Sequence, residues 1–95
     1  HLNAVLVNNF TNHLFHWANE LCEASDISFE LLYPLISETA DKLKHLSPFE
    51  AQTGPARRHD VATMQNHLEQ LENPLKKKIY QLMSESIKSL YEKKL

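Results

Sequence analysis

The stretch Gln52–Asp60, QTGPARRHD, interrupts a chain that otherwise reads as amphipathic helix. It holds the only glycine of the sequence, Gly54, which Pro55 follows directly. Glycine adopts backbone conformations that other residues rarely reach, and proline fixes its own φ, so this pair predicts an irregular loop. Two arginines, a histidine and an aspartate complete the stretch. We therefore expect a helical fold divided by one polar loop, and the loop is the first place to look for function.

Composition limits the class of protein. The 95 residues predict one helical domain, residues 1–95, with a formal net charge of -2 and a pI near 6.3. Without a clustered basic excess, no nucleic-acid partner is expected. Cys22 is the single cysteine, which favours a reducing, cytoplasmic compartment. No apolar run approaches the roughly 18 residues of a membrane span, so no membrane association is expected. The chain begins at His1 rather than methionine, inside a helical pattern, which indicates a domain taken from a longer protein.

Apolar periodicity predicts an all-α fold of about four helices and no strand. The first helix is predicted to run from about Leu2 to Ala24. Its apolar face contains residues spaced three or four apart: Leu6, Phe10, Leu14, Trp17 and Leu21. This spacing is typical of a helix that packs one face against a core, and we also expect Met64 of a later helix in that core.

The other three helices are placed by capping residues and prolines. Ser28 is a predicted N-cap for a second helix that runs to about His45, with Pro34 expected to loosen its start. After a loop at Phe49–His59, Asp60 is expected to cap the third helix. The dipeptide Asn73-Pro74 combines a cap with proline at the first helical position, and it predicts the fourth helix.

Polar residues on the first helix form a candidate catalytic group. At about 100° per residue, Asn9, His13, His16 and Glu20 share one flank, while Asn12 lies on the back of the helix. Histidine titrates near neutral pH, so His13 is the predicted acid or base, assisted by Asn9. The alternative is that His13 hydrogen-bonds a neighbour at a helix interface.

The same flank also raises the question of a metal site. His13, His16 and Glu20 are three and four residues apart. At this spacing the two imidazoles and the carboxylate can bind one cation together. One helix supplies at most three ligands, however, and metal sites in bundles usually draw ligands from facing helices. We therefore predict no metal.

The loop is a candidate anion site. Arg57 and Arg58 directly precede a predicted helix start, where free backbone amides attract anions and guanidinium groups bind carboxylate or phosphate in a fork. The alternative is a turn whose surface arginines pair with Glu50 or Glu69. The predicted substrate-binding or anion-binding residues are Asn12, Thr53, Gly54, Pro55, Arg57 and Arg58.

Three segments together carry a family resemblance. Thr53–Asp60, Asn9–His13 and Ser28–Pro34 resemble the C-terminal helical domain of a Rossmann-like two-domain family of unknown function, described as NADP-dependent oxidoreductases. That family is related to deazaflavin-dependent reductases and, more distantly, to 6-phosphogluconate dehydrogenase, whose C-terminal domain is a helical bundle. The resemblance covers nearly the whole chain. The family often has glycine where this chain has His59, so the turn before the third helix is expected to differ.

The resemblance implies a domain that works with a partner. In such proteins an N-terminal Rossmann domain binds NADP, while the helical domain closes the cleft over a small-molecule substrate and supplies much of a homodimer interface. This chain contains no GxGxxG sequence, so the dinucleotide would be held by the N-terminal domain of the parent chain. No cofactor-binding residue is assigned within residues 1–95.

A second resemblance bears on catalysis. Val5-Leu6-Val7-Asn8-Asn9 is similar to the lysine-x-x-Asn-Asn helix of the β-hydroxyacid dehydrogenases, in which the lysine is the acid or base. Val5 stands at the lysine position, and valine transfers no proton. Two hypotheses follow. The chain is the substrate-side and dimerisation domain of an NAD(P)-dependent oxidoreductase, or it is a non-catalytic dimerisation or interaction domain of a nucleotide-binding Rossmann-like protein.

Overall fold

The computed structural model describes residues 1–92, and every regular element in that range is helical. The all-α prediction is therefore confirmed. The chain divides into two compact units, His1–His45 and a second unit that begins at Leu46. Each is described by itself below.

The first unit opens with three helical segments that follow one another directly. They are α1 (Leu2–Ala4), a π-helical segment π1 (Val5–Phe10) and α2 (Thr11–Ala24). The predicted extent of the first helix is confirmed, but the prediction of one uniform α-helix is wrong. The Thr11 hydroxyl donates to the Leu6 carbonyl oxygen at 3.2 Å, five residues back, which is the reach of a π-helical turn.

The second half of the first unit begins irregularly for a reason that the sequence indicated. Ser28 caps the start, its hydroxyl accepting a hydrogen bond from the Glu30 backbone N–H. A 3₁₀ turn, Phe29–Leu32, follows, and only then does α3 (Tyr33–Asp41) begin, with Pro34 in its first turn. Because Pro34 has no N–H to donate, the preceding turn cannot continue as regular α-helix. A second 3₁₀ turn, Lys42–Lys44, ends the unit's helical structure.

Between Leu46 and Glu92, the described part of the second unit, there are three α-helices. The short α4 (Pro48–Ala51) occupies the start of the segment predicted to be loop, because Ser47 and Glu50 form a capping box around it. Next come α5 (Val61–Gln70), which Asp60 caps, and α6 (Pro74–Glu92). The Asn73 side-chain oxygen accepts from the Lys76 backbone N–H at 3.1 Å, which confirms the predicted cap of α6.

Burial departs from the predicted apolar faces. Phe10 was expected in the core, yet 56% of it is exposed, and Trp17 and Met64 are only half-buried. Among the described residues, the buried hydrophobic ones are Cys22, Ala51, Ala56, Leu71 and Tyr91. A short chain presents too little facing apolar surface to cover its own helical stripes.

Candidate functional site

The polar loop of the second unit is folded tightly by its own backbone. The Asp60 N–H donates to the Pro55 carbonyl oxygen at 2.8 Å, and the Arg58 N–H donates to the Gly54 carbonyl oxygen at 3.3 Å. Gly54 has φ of +103°, while a Cβ placed on it would meet no atom within 4 Å. Backbone conformation, not lack of space, is therefore the reason for glycine at this position.

Arg57 is held against an aromatic stack. Its guanidinium lies 4.1 Å from the centre of the Tyr91 ring in α6. Tyr91 also stacks on Phe49, with the ring centres 4.7 Å apart. The Tyr91 hydroxyl donates a hydrogen bond to the Phe49 carbonyl oxygen. Stacking on a ring face leaves the N–H groups at the edge of a guanidinium available for hydrogen bonds. Within residues 1–92, no carboxylate forms an ion pair with Arg57.

Arg58 is engaged differently. Its guanidinium nitrogen lies 3.6 Å from an Asp60 carboxylate oxygen. Asp60 also accepts hydrogen bonds from the Thr63 hydroxyl at 2.7 Å and the Thr63 N–H at 3.1 Å. These two bonds, the hydroxyl first, and the nearby Arg58 charge lower the pKa of Asp60. Arg58 thus pairs within the loop, with Asp60 rather than with the Glu50 or Glu69 named in the alternative prediction.

Glu50 has a separate structural role. Its carboxylate accepts from the Ser47 N–H at 3.1 Å and from the Ser47 hydroxyl at 3.0 Å. These bonds, the backbone one first, lower the pKa of Glu50. The Glu50 carboxylate therefore stabilises the start of α4.

The polar flank of the first unit lies mainly in α2. In α2, the His13 and His16 rings lie 6.4 Å apart, and His16 Nε2 lies 3.9 Å from a Glu20 carboxylate oxygen. Asn9 falls near the end of π1, where each residue turns the helix by somewhat less than 100°. Over the two steps from Asn9 to α2 this difference is small, so the place of Asn9 on the flank with His13 stays a prediction. Asn9, Asn12 and His13 are all exposed.

The predicted site residues therefore form two groups in different units. Asn9, Asn12 and His13 belong to the first unit. The second unit holds the loop residues Thr53, Gly54, Pro55, Arg57 and Arg58. Across residues 1–92, no group of three or more His, Cys, Asp or Glu side chains could hold a metal ion.

Residues 1–87 match the domain of unknown function DUF2520. This chain belongs to the DUF2520 family. It is also similar to a crystal structure of the "putative NADP oxidoreductase" from Bacteroides fragilis, with 44% sequence identity and a TM-score of 0.91. The match covers 94% of this DUF2520 chain but only 35% of the Bacteroides chain. No curated protein matches this DUF2520 chain.

The structure of the DUF2520 chain adds a pair that sequence reasoning missed. His67 Nδ1 of α5 lies 2.6 Å from the Tyr80 hydroxyl of α6, with the two rings nearly perpendicular. Burial raises the pKa of Tyr80. A cavity of about 150 Å³ lies beside Tyr80 and is also lined by Ser84 and Lys88. Because spacing along one helix does not tell which residue of the next helix it meets, no sequence pattern could have found this pair.

Tyr91 was missed for a similar reason. It lies near the end of a predicted helix and carries no motif, yet it is buried and contacts both Phe49 and Arg57. Among residues 1–92, no helix is both long and apolar enough to cross a bilayer.

Proposed function

We propose that this DUF2520 chain is the C-terminal, substrate-side helical domain of a cytoplasmic NADP-dependent oxidoreductase. The observation that carries the proposal is the match to the Bacteroides protein, at 44% identity over 94% of this chain. Since this chain spans about a third of that protein's length, the remainder of a parent chain would supply an N-terminal Rossmann domain.

The residues of this chain do not fit the NADP itself. Dinucleotides are usually bound where a glycine-rich turn joins a strand to a helix. Residues 1–92 contain no strand, and the sequence has a single glycine, Gly54. The proposal therefore places the dinucleotide in the rest of the parent chain and assigns this chain to the substrate.

The first-unit group supplies the proton chemistry in this proposal. His13 is exposed and has an imidazole neighbour, His16, rather than a carboxylate in an ion pair. An accessible imidazole can give a proton to, or take one from, a substrate oxygen or nitrogen. Asn9 and Asn12 carry amides that can orient a substrate, and neither can transfer a proton at neutral pH.

The loop group supplies anion recognition. Arg57 has its guanidinium plane set by Tyr91 and no ion-pair partner among the described residues, so its charge is available to a carboxylate or phosphate. Arg58 is paired with Asp60, so its charge is less available to bind the substrate. Thr53, Gly54 and Pro55 shape the loop that carries both arginines.

The proposal is tested first by calorimetric titration of NADPH and then NADH into the full-length parent and into residues 1–95. We expect saturable binding to the parent and none to residues 1–95, because the dinucleotide site is assigned to the missing domain. Absence of binding to both proteins would refute the oxidoreductase proposal.

Turnover then separates the roles of the two groups. With a substrate identified by screening the parent, His13→Ala should lower kcat, whereas His45→Ala, a change at an exposed histidine outside either group, should not. Arg57→Gln should raise KM for an anionic substrate more than Arg58→Gln does. If His13→Ala and His45→Ala changed kcat equally, the role assigned to His13 would be refuted. If Arg57→Gln and Arg58→Gln changed KM equally, the role assigned to Arg57 would be refuted.

One observation favours a second candidate function. Val5, half-buried in π1, stands where the similar dehydrogenases have their lysine. A parent that binds NADPH but reduces no substrate would be a nucleotide-binding protein with a non-catalytic helical domain. Such a parent should bind NADPH with unchanged affinity after His13→Ala and after Arg57→Gln.

A further inference from the structure

The two arginines of the polar loop do not offer equal charges to a ligand. Arg58 lies 3.6 Å from Asp60, and Asp60 is ionised at neutral pH because the hydrogen bonds from Thr63 and the Arg58 charge lower its pKa. Arg57 lies on the Tyr91 ring and has no carboxylate partner among residues 1–92. A ligand at the loop therefore meets one free guanidinium beside an ion pair whose charges offset each other.

The backbone of the loop adds little to this single charge. Phosphate groups are commonly bound by several free backbone N–H groups at a helix start. At the start of α5, however, the Asp60 carboxylate already accepts from the Thr63 N–H, and the Val61 N–H donates to the His59 carbonyl oxygen. The N–H groups of Arg58 and Asp60 are also bonded within the loop. The side chain of an arginine is therefore the main donor that the loop offers to an anion.

One free cation favours a ligand with one negative charge. The attraction of Arg57 for an anion is proportional to the charge of the anion, whereas the cost of removing the anion from water grows as the square of that charge. A carboxylate also fits the edge of one guanidinium with two parallel hydrogen bonds. A phosphate monoester carries about 1.5 to 2 negative charges at pH 7, and the Asp60 carboxylate repels it more strongly than it repels a carboxylate.

We propose that the loop selects a carboxylate over a phosphate and that Asp60 sets this selectivity by neutralising Arg58. Asp60 is a positioning residue in this role, because it acts on the ligand through Arg58. The inference rests on the proposed function, since it specifies the anionic group of the substrate that the loop recognises. The substrate of the parent chain is accordingly a carboxylic acid that binds Arg57 through its carboxylate.

The test uses the full-length parent chain in excess NADPH and two probes that share a phenyl group, benzoate and phenyl phosphate. At about pH 8 benzoate carries one negative charge and phenyl phosphate close to two. Binding is measured by NMR at one fixed ionic strength, from the shift of the Arg57 Nε–H signal, which Arg57→Gln identifies by its absence. Wild type should bind benzoate at least about 3-fold more tightly than phenyl phosphate.

Asp60→Asn is the decisive variant, because it keeps a capping oxygen and frees the Arg58 charge. The Coulomb energy of one added positive charge is twice as large for a dianion as for a monoanion. The dissociation constant of phenyl phosphate should therefore fall about 10-fold and that of benzoate about 3-fold. Partial unfolding cannot produce this result, since it weakens the binding of both probes by the same factor.

Two control variants show whether the effect acts through Arg58. Asp60→Asn combined with Arg58→Gln should restore the wild-type ratio of the two dissociation constants. Glu50→Gln also removes a negative charge from this part of the chain, but Glu50 bonds Ser47 and its loss frees no arginine. The ratio in Glu50→Gln should therefore stay close to that of wild type.

The inference is overturned if wild type binds neither probe at Arg57 or prefers phenyl phosphate. An unchanged ratio in Asp60→Asn, or an equal change in Glu50→Gln, would overturn the role of Asp60. Calorimetric titration of NADPH into the same parent chain tests the proposed function separately. A preference for phenyl phosphate together with intact NADPH binding would therefore overturn this inference alone.

Discussion

At the scale of single residues, the most informative position is His59. It has φ of +57°, in the left-handed region where a Cβ is strained and glycine is not. We expect His59→Gly to raise the free energy of unfolding by roughly 0.5–1 kcal/mol, because relief of strain exceeds the added flexibility of the unfolded chain. Thermal or urea unfolding checks this.

His59→Ala is the control for that change. Alanine keeps the Cβ and therefore keeps the strain, so this variant should be no more stable than wild type. If alanine stabilised the protein as much as glycine does, the imidazole rather than the backbone would be the source of the effect. That the turn before α5 differs from the turn of relatives with glycine stays a prediction. His59 itself lies in the left-handed region, which glycine also adopts readily.

Asp60 makes stability depend on pH. Its pKa is lowered from 3.8 chiefly by the two hydrogen bonds from Thr63. A carboxylate with a lowered pKa contributes stability that is complete above pH 3.8 and is lost as pH falls through the lowered value. Asp60→Asn keeps a capping oxygen but does not titrate. We expect the melting temperature of Asp60→Asn to fall less than that of wild type between about pH 5 and pH 2.

The corresponding measurement is a pH series of thermal melts for the two proteins. Glu50 titrates in both and cancels from the comparison, since its lowered pKa has the same cause in each. Parallel curves would mean that Asp60 does not couple to folding. A steeper loss in Asp60→Asn would contradict the sign of the effect.

The helix caps are the part of the structure that the sequence predicted best. Ser28, Asp60 and Asn73 cap helices as expected, because a cap depends only on a side-chain oxygen and the next three residues. The left-handed His59 was not predicted. No local rule gives a histidine this conformation in preference to the more common ones.

At the scale of helices, α5 and α6 are joined by one polar pair. Tyr80→Phe removes the phenol that bonds His67 and leaves a half-buried ring nitrogen without that partner. We expect a loss of about 1 kcal/mol in the free energy of unfolding, the usual value for such a bond. His67→Phe with Tyr80→Phe should lose less than the sum of the single changes, and additive losses would mean that the bond does not couple the two helices.

A second connection joins α4 and the loop to α6 through Tyr91. Tyr91→Phe removes the hydrogen bond to the Phe49 carbonyl oxygen but keeps both ring contacts. We expect it to cost about 1 kcal/mol and Tyr91→Ala about 3–5 kcal/mol, because the ring is buried. Chemical denaturation measures both. A Tyr91→Ala loss no larger than that of Tyr91→Phe would show that the stack contributes nothing.

Helix extents were predicted more reliably than helix type. Apolar periodicity located the helical stretch from Leu2 to Ala24, and Pro34 indicated the delayed start of α3. The π1 segment was missed because apolar residues at three and four spacing fit α-helix equally well. The prediction that Asn9 shares a flank with His13 depends little on this difference, because Asn9 is only two residues from the start of α2.

At the scale of the whole molecule, exposed apolar surface is the property that sequence did not predict. Apolar periodicity predicts which face of each helix is apolar, but it does not predict whether other residues of the chain cover that face. Leu6, Phe10 and Leu21 are each about half exposed although all three lie on the predicted apolar face of the first helix. Whether a face is covered depends on contacts distant in sequence, on which local patterns carry no information.

This property, together with the homodimer predicted from the family resemblance, predicts that stability depends on concentration. If a second copy covers these faces, folding and association are linked, and a higher protein concentration favours the folded dimer. We expect the melting temperature of residues 1–95 to rise over a 100-fold increase in concentration. Leu35→Glu should show a lower melting temperature without this rise. A concentration-independent wild-type curve would contradict the linkage.

The π-helical segment has a consequence for comparing sequences within the family. Its wider turns take up more residues per unit length than an α-helix, so an alignment that assumes a regular helix can be shifted by one position here. The residue equivalent to the dehydrogenase lysine could then be Ala4 or Leu6 instead of Val5. None of the three side chains transfers a proton, so no choice of register places an acid or base where the similar dehydrogenases have their lysine.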